Sequence, residues 1–248
     1  TKLLKSEQVI VFAHNDFKDL EKKISANKRT GRNIIAIEGV YSMGGDLAPI
    51  EIFQIADEKK SILIVDEAHS FGVIGDNLLG IFDYYKIKPT QYHVKMGTLG
   101  KAYGSYGAYI LASKQIIDFL INRAKPIIYS TAPSLFDTAL ANESLDYIIE
   151  NKELLKEKIK NNLTIIKNIL GLNSQSLIIP ILIGDNKKVK KIQENLKQNG
   201  FLVGAIRQPT VKEAIIRLIA KIDINENNLT KICNLIKDSN VNKWLNKR

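Results

Sequence analysis

A lysine set among glycines, Gly97-Thr98-Leu99-Gly100-Lys101-Ala102-Tyr103-Gly104, follows an apolar run around Val94. A second polar cluster, Asp66-Glu67-Ala68-His69, closes another apolar run, Ile62-Leu63-Ile64-Val65. An amine, a carboxylate and an imidazole are therefore each expected at or just beyond the end of a hydrophobic strand. An amine can form a Schiff base with a carbonyl, and a carboxylate can hold a ring nitrogen protonated. An imidazole can donate to a phenolic oxygen or stack beside it, and Thr98 adds a hydroxyl suited to a phosphate. These are the groups that pyridoxal 5'-phosphate requires of a protein, with Lys101 as the Schiff-base amine. Glycines around a lysine let the backbone approach a ligand closely. Alone, Lys101 reads as a solvated side chain and Asp66 as a carboxylate capping its own loop. In this order, each beside a strand end, they read as one site.

The elements that must position these groups alternate along the chain. Ile34-Ile35-Ala36-Ile37 reads as a strand, Pro49 opens a helix through Phe53, Ile55 and Ala56, and Ile62–Val65 is the next strand. The run around Val94 follows, then strand Gly107–Leu111, a helix from Lys114 to Ala124, and a further apolar run at Ile127-Ile128-Tyr129. Runs that are continuously apolar imply strands covered on both faces, as in a mainly parallel α/β sheet. Such sheets gather ligand groups at the carboxyl ends of their strands. After Pro133 a long amphipathic helix is expected from about Ser134 to Leu170, with an interruption near Asn151-Lys152. An α/β lobe follows: strand Leu177–Ile183, helix Lys187–Gln198, strands Phe201–Ile206 and Ala214–Ile222, and a last helix from Glu226. The expected organisation is a cofactor-binding part over 1–133, then a connecting helix and smaller lobe over 134–248.

Composition narrows the class. With 248 residues, 45% hydrophobic and 25% charged, the chain has the profile of a soluble globular protein. Its formal net charge of +10 comes from scattered lysines, densest at Asn186–Lys191. That block reads as a wet helix start, so no nucleic-acid partner is expected. One cysteine, Cys233, leaves no intrachain disulfide. His14, His69 and His93 lack metal-ligand spacing, so no metal is expected. No apolar stretch approaches the ~18–20 residues of a membrane span, and no signal peptide precedes Thr1. The expectation is a cytoplasmic protein without a membrane partner.

At the level of whole blocks a resemblance emerges. Asp66–Val73 and Gly97–Lys101 resemble the signature blocks of the α-oxoamine synthases, a branch of the fold type I (aspartate aminotransferase-like) pyridoxal phosphate enzymes in aminotransferase class II. Four further blocks agree in order: His14-Asn15-Asp16 with Leu20, Glu38–Pro49, Tyr129–Pro133 and Ala205–Val211. The resemblance covers essentially the whole chain.

It implies a fold type I large domain, a smaller C-terminal lobe and a homodimer with its site at the subunit interface. It also implies a reaction joining a small amino acid to an acyl-coenzyme A or acyl-carrier protein with loss of carbon dioxide. Carried over residue by residue, Lys101 is the Schiff-base lysine and the base for the α-proton, and Asp66 and His69 hold the ring. Ser42 and Thr98 are cofactor ligands, Thr131 serves the cofactor of the neighbouring subunit, and Thr210 stands at the substrate mouth. Arg207–Val211 is most similar to the branch that takes alanine and a pimeloyl thioester, ahead of the branch that takes glycine and acetyl-coenzyme A.

There are departures from the family pattern. Where the family commonly has Arg-x-Arg, this chain reads Ile216-Arg217-Leu218-Ile219. Arg217 is thus either a carboxylate clamp from a shifted register or a structural residue. The loop after Gly75 lacks the family's arginine. The resemblance also implies that the family's phosphate-binding glycine loop and ring-stacking aromatic would lie upstream of this chain. A reading of a different class is therefore a non-catalytic remnant kept for dimerisation.

Overall fold

The structure is a computed structural model that describes residues 8–241; Thr1, before which no signal peptide was expected, lies outside them. Helix α1 (Phe17–Ala26) is capped by Asp16, whose side chain accepts from the Asp19 N–H. Strands β1 (Ile34–Glu38), β2 (Ile62–Asp66) and β3 (His93–Thr98) run parallel in that order, and β4 (Ala108–Leu111) joins β3 antiparallel. Between β1 and β2 lies α2 (Ile50–Glu58), which starts after Pro49 because a helix's first amides need no intrahelical partner. The register sets Glu38 opposite Asp66 and Asp66 opposite Met96. Three parallel strands thus end at one level, which is where the chemistry-bearing residues gather.

Helix α3 (Ile81–Tyr84) is a single turn, and α4 spans Lys114–Arg123. The apolar run at 127–129 is the end of a short helix, α5 (Lys125–Ile128), with Tyr129 81% exposed. Pro126 stands in its first turn, where proline suits a helix start and cannot donate to a sheet ladder. The long helix divides where expected, into α6 (Leu135–Glu150) and α7 (Lys152–Leu170), with Asn151 between.

The second sheet is antiparallel, ordered β5 (Ile178–Gly184), β7 (Ala214–Ile219), β6 (Gly204–Ile206). Helices α8 (Asn186–Gln198) and α9 (Glu226–Ile236) pack on it around Ile181, Ile183, Ile216 and Leu229. Strand β6 is shorter than the expected Phe201–Ile206 because Phe201 donates its amide to Leu196 and so completes the end of α8 through Gly200, at φ +87°.

The first sheet differs from expectation in its coverage. Burial alternates along β1 and β2: Ile35, Ile37, Leu63 and Val65 face a core with Ile52 and Phe53, while Ile34 is 63% exposed. One face of this sheet is covered among the described residues, not two. A third cluster of Phe71, Tyr103, Ala141, Ile148 and Leu155 joins the loops after β2 and β3 to α6 and α7. No described helix is long and apolar enough to cross a membrane.

Candidate active site

The Lys101 turn is built from close approaches. Tyr109, on the neighbouring strand, lies across Gly97, so that a Cβ there would meet the phenol ring. The Thr98 hydroxyl accepts from the Gly100 N–H at 3.2 Å and donates to the Gly107 carbonyl at 3.3 Å, which closes the turn on itself. Ser144 donates to the Tyr103 carbonyl, and Ser105 to the Asp137 carbonyl, tying the turn to α6. The facing turn, after β2, is held against it. Tyr103 stacks on Phe71 with ring centres 4.4 Å apart, and a Cβ on Gly72 (φ +74°) would stand 2.6 Å from the Ala102 Cβ. Such a stacked pair contributes about 0.5–1.5 kcal/mol beyond its buried area. The two turns therefore form one rigid mouth.

Across it Lys101 Nζ stands 2.8 Å from His69 Nε2. Desolvation pulls the Lys101 ammonium below its usual range; Arg217 adds to this, while Asp66 and Glu38 oppose it. Desolvation likewise pushes His69 down to about 4, helped by the positive charges of Lys101 and Arg217 and resisted by Asp66. At neutral pH the imidazole is uncharged, and a larger share of Lys101 is the free amine that attacks carbonyls. Asp66 ends β2 half-buried, with Oδ1 accepting from the Ala68 N–H at 2.8 Å.

Ser42 lies in the loop after β1, its amide held by Glu38 Oε2 at 2.8 Å. Arg217 comes from β7 in the second sheet and donates Nε–H to the Ser42 carbonyl at 2.7 Å. Desolvation lowers the Arg217 guanidinium, and Glu38 counters it. The site thus draws on both sheets. The His14-Asn15 block docks beside it: His14 Nε2 and Asn15 Nδ2 reach Asp46 Oδ2 at 2.7 and 2.6 Å, and His14 meets the Tyr41 ring edge-on. Thr131 and Thr210 are exposed on loops, and among the described residues no hydrogen bond joins either to Lys101, His69 or Asp66.

Two residues escaped the sequence reading. Glu38 ends β1 just as Asp66 ends β2, and that parallel placement was the available signal. Glu67 is fully buried between two site residues, and only its position inside the Asp66–His69 step marked it. A cleft of about 940 Å³, lined among others by Asp83, Lys86, His93 and Ser113, opens at the amino end of β3. It carries none of the chemistry above, and ligands of open α/β sheets collect at the opposite ends of the strands.

The donor set fits pyridoxal phosphate. Lys101 would hold its aldehyde carbon, Asp66 its ring nitrogen, and His69 its ring oxygen.

The aminotransferase class I and II family model matches residues 2–236. The chain belongs to this family. Among its relatives it is similar to the 8-amino-7-oxononanoate synthases of two Helicobacter pylori strains. One is 42% identical over 95% of this chain and 63% of its own length; the other is 46% identical over 87% and 58%. The chain therefore spans about three fifths of the length of the curated relatives it matches. Among solved structures, a Sphingomonas wittichii serine palmitoyltransferase superposes with a TM-score of 0.85 at 21% identity, over 92% of this chain and 59% of that one. The 8-amino-7-oxononanoate synthase of Francisella tularensis gives 0.78 at 24%, over 93% and 68%. These likenesses show the fold, that of the fold type I pyridoxal phosphate enzymes.

Proposed function

We propose that the chain carries the catalytic residues of a pyridoxal phosphate-dependent α-oxoamine synthase. Its reaction on this reading condenses L-alanine with a pimeloyl thioester of coenzyme A or a carrier protein. The products are 8-amino-7-oxononanoate, carbon dioxide and the free thiol, a step of biotin synthesis. The observation that carries the reading is the Lys101–His69 contact at the mouth formed by the ends of β2 and β3. The names of the Helicobacter pylori relatives support the substrate choice.

When bound, pyridoxal phosphate supplies an electron sink for the carbanion at the amino acid's α-carbon. The chain's own residues do the rest. Lys101 Nζ, lowered by desolvation, takes the α-proton. Asp66 keeps a proton on the ring nitrogen, and uncharged His69 orients the ring oxygen without adding a competing charge. Ser42 and Thr98 serve the cofactor, and Thr131 the cofactor of a partner subunit. Thr210 stands at the substrate mouth, and Arg217 offers its remaining guanidinium donors to the substrate carboxylate.

The same reading makes 1–133 the cofactor part and 134–248 the connecting helices and small lobe. It also makes the protein a homodimer, a proposal supported by the exposed Phe119, Ile121, Tyr129, Leu135 and Phe136 on and between α4 and α6. A cytoplasmic location is in keeping with the free, buried Cys233.

The test supplies pyridoxal phosphate and compares alanine with pimeloyl-coenzyme A against glycine with acetyl-coenzyme A. Release of thiol and carbon dioxide is expected with the first pair. Preference for the second would move the assignment to a glycine C-acetyltransferase. Turnover with neither pair, and no cofactor complex, would leave the chain a non-catalytic remnant.

A further inference from the structure

The step Asp66-Glu67-Ala68-His69-Ser70 has two faces. Asp66 and His69, three residues apart, are half-buried, His69 in contact with Lys101 and Asp66 acting on it by charge; Glu67 and Ser70, also three apart, are fully buried. Below the site the Glu67 carboxylate gathers donors from three different segments. Ser70 donates its hydroxyl to Oε2. The Ile81 amide, at the start of α3, lies 2.9 Å from Oε2 and 3.1 Å from Oε1. Lys95, on β3, places Nζ 3.4 Å from Oε1 and also donates to the Leu79 carbonyl at 2.6 Å.

The backbone of Glu67 is tied as firmly. Its N–H bonds to the Met96 carbonyl at 2.7 Å, and its own carbonyl accepts from the amides of Ser70 and Phe71. Space around the carboxylate is taken up as well: a Cβ on Gly80 would run into it, and one on Gly39 would stand 3.0 Å from Oε2. A buried charge with this many partners has few other places to sit, because a buried ionised group without partners is strongly disfavoured.

We propose that Glu67, paired with Lys95, is a positioning residue that fixes the turn carrying Asp66 and His69 against the Lys101 turn. Its relevance to catalysis rests on the function proposed above, whereas its geometric content does not. Asp66 and His69 are the residues immediately before Glu67 and before Ser70, so a shift of the carboxylate carries both. Misplacement by about an ångström is enough to weaken a site on the order of a hundredfold.

The test uses Glu67→Gln and the double variant Glu67→Gln/Lys95→Met. An amide keeps the shape but offers one acceptor group where three segments now donate, and it leaves the Lys95 charge unpaired; the second substitution removes that charge. His69 is followed by NMR titration in the cofactor-free protein, where the charged groups around it are Lys101, Arg217 and Asp66. Cofactor dissociation and thermal unfolding are measured alongside.

The single variant should melt lower, move the His69 titration back up toward the ordinary imidazole range and weaken cofactor binding by about tenfold or more. The double variant should recover melting temperature without recovering the His69 titration or the cofactor affinity. Should Glu67→Gln not fold, Glu67→Asp withdraws the carboxylate by one methylene while keeping its charge, and the same His69 shift is expected. Wild-type His69 titration and cofactor affinity in every folded variant would overturn the proposal and leave Glu67 a stabilising residue only. If the wild-type protein binds no cofactor, the function above fails, and the His69 titration still decides the positioning role.

Discussion

His69 is neutral across the ordinary pH range because it loses water and feels the charges of two cations, Lys101 and Arg217. An imidazole held at about 4 when folded and near 6.5 when unfolded binds its proton mainly in the unfolded state. The stability it contributes is full above 6.5 and is lost as pH falls toward 4. His93, which desolvation also lowers, acts in the same direction. Urea midpoints of the cofactor-free chain should therefore drop between pH 7 and pH 4, and His69→Asn should flatten that slope in part; an unchanged slope would refute the depressed imidazole. At this scale the sequence was informative where chemistry and position coincided, as for Lys101, Asp66 and His69. It was silent on Arg217's partner, because the bond to the Ser42 carbonyl spans 175 positions and no local pattern encodes it.

Strand and helix placement was legible wherever periodicity and punctuation agreed, as with Pro49 before α2 and Asn151 between α6 and α7. It failed at 201–203, where the helix cap takes up residues that look like strand. Coverage of the first sheet was also misjudged, since apolar type alone does not tell which face a partner will occupy. What sequence could not supply is how the β2 and β3 turns lock together. Gly97 is the sensitive point, because Tyr109 occupies the space where a side chain would go. Gly97→Ala is expected to lower stability by about 1–3 kcal/mol, read by urea unfolding, and to weaken cofactor binding by displacing Thr98 and the turn behind it. Wild-type values in both measurements would mean that the tyrosine yields freely.

Over the whole molecule, a mainly parallel sheet supplies the amine, carboxylate and imidazole, and an antiparallel sheet reaches over to supply Arg217. The bond between Ser176 and the Gly45 carbonyl adds a second tie between the two parts. Apolar side chains are left exposed along α4–α6 and support the proposed second copy. Sedimentation should show a dimer, and Leu135→Glu with Phe136→Glu should yield monomer while keeping the far-ultraviolet spectrum; a wild-type monomer would remove the dimer from the account. The central claim is that Lys101 is the amine that takes up pyridoxal phosphate. It is tested most directly by adding the cofactor to purified protein, recording the visible absorbance band, reducing with borohydride and locating the label by peptide mass spectrometry. The account predicts a band that borohydride abolishes, a label on Lys101, and neither in Lys101→Ala. A label on another lysine, or a band that persists in Lys101→Ala, would contradict it.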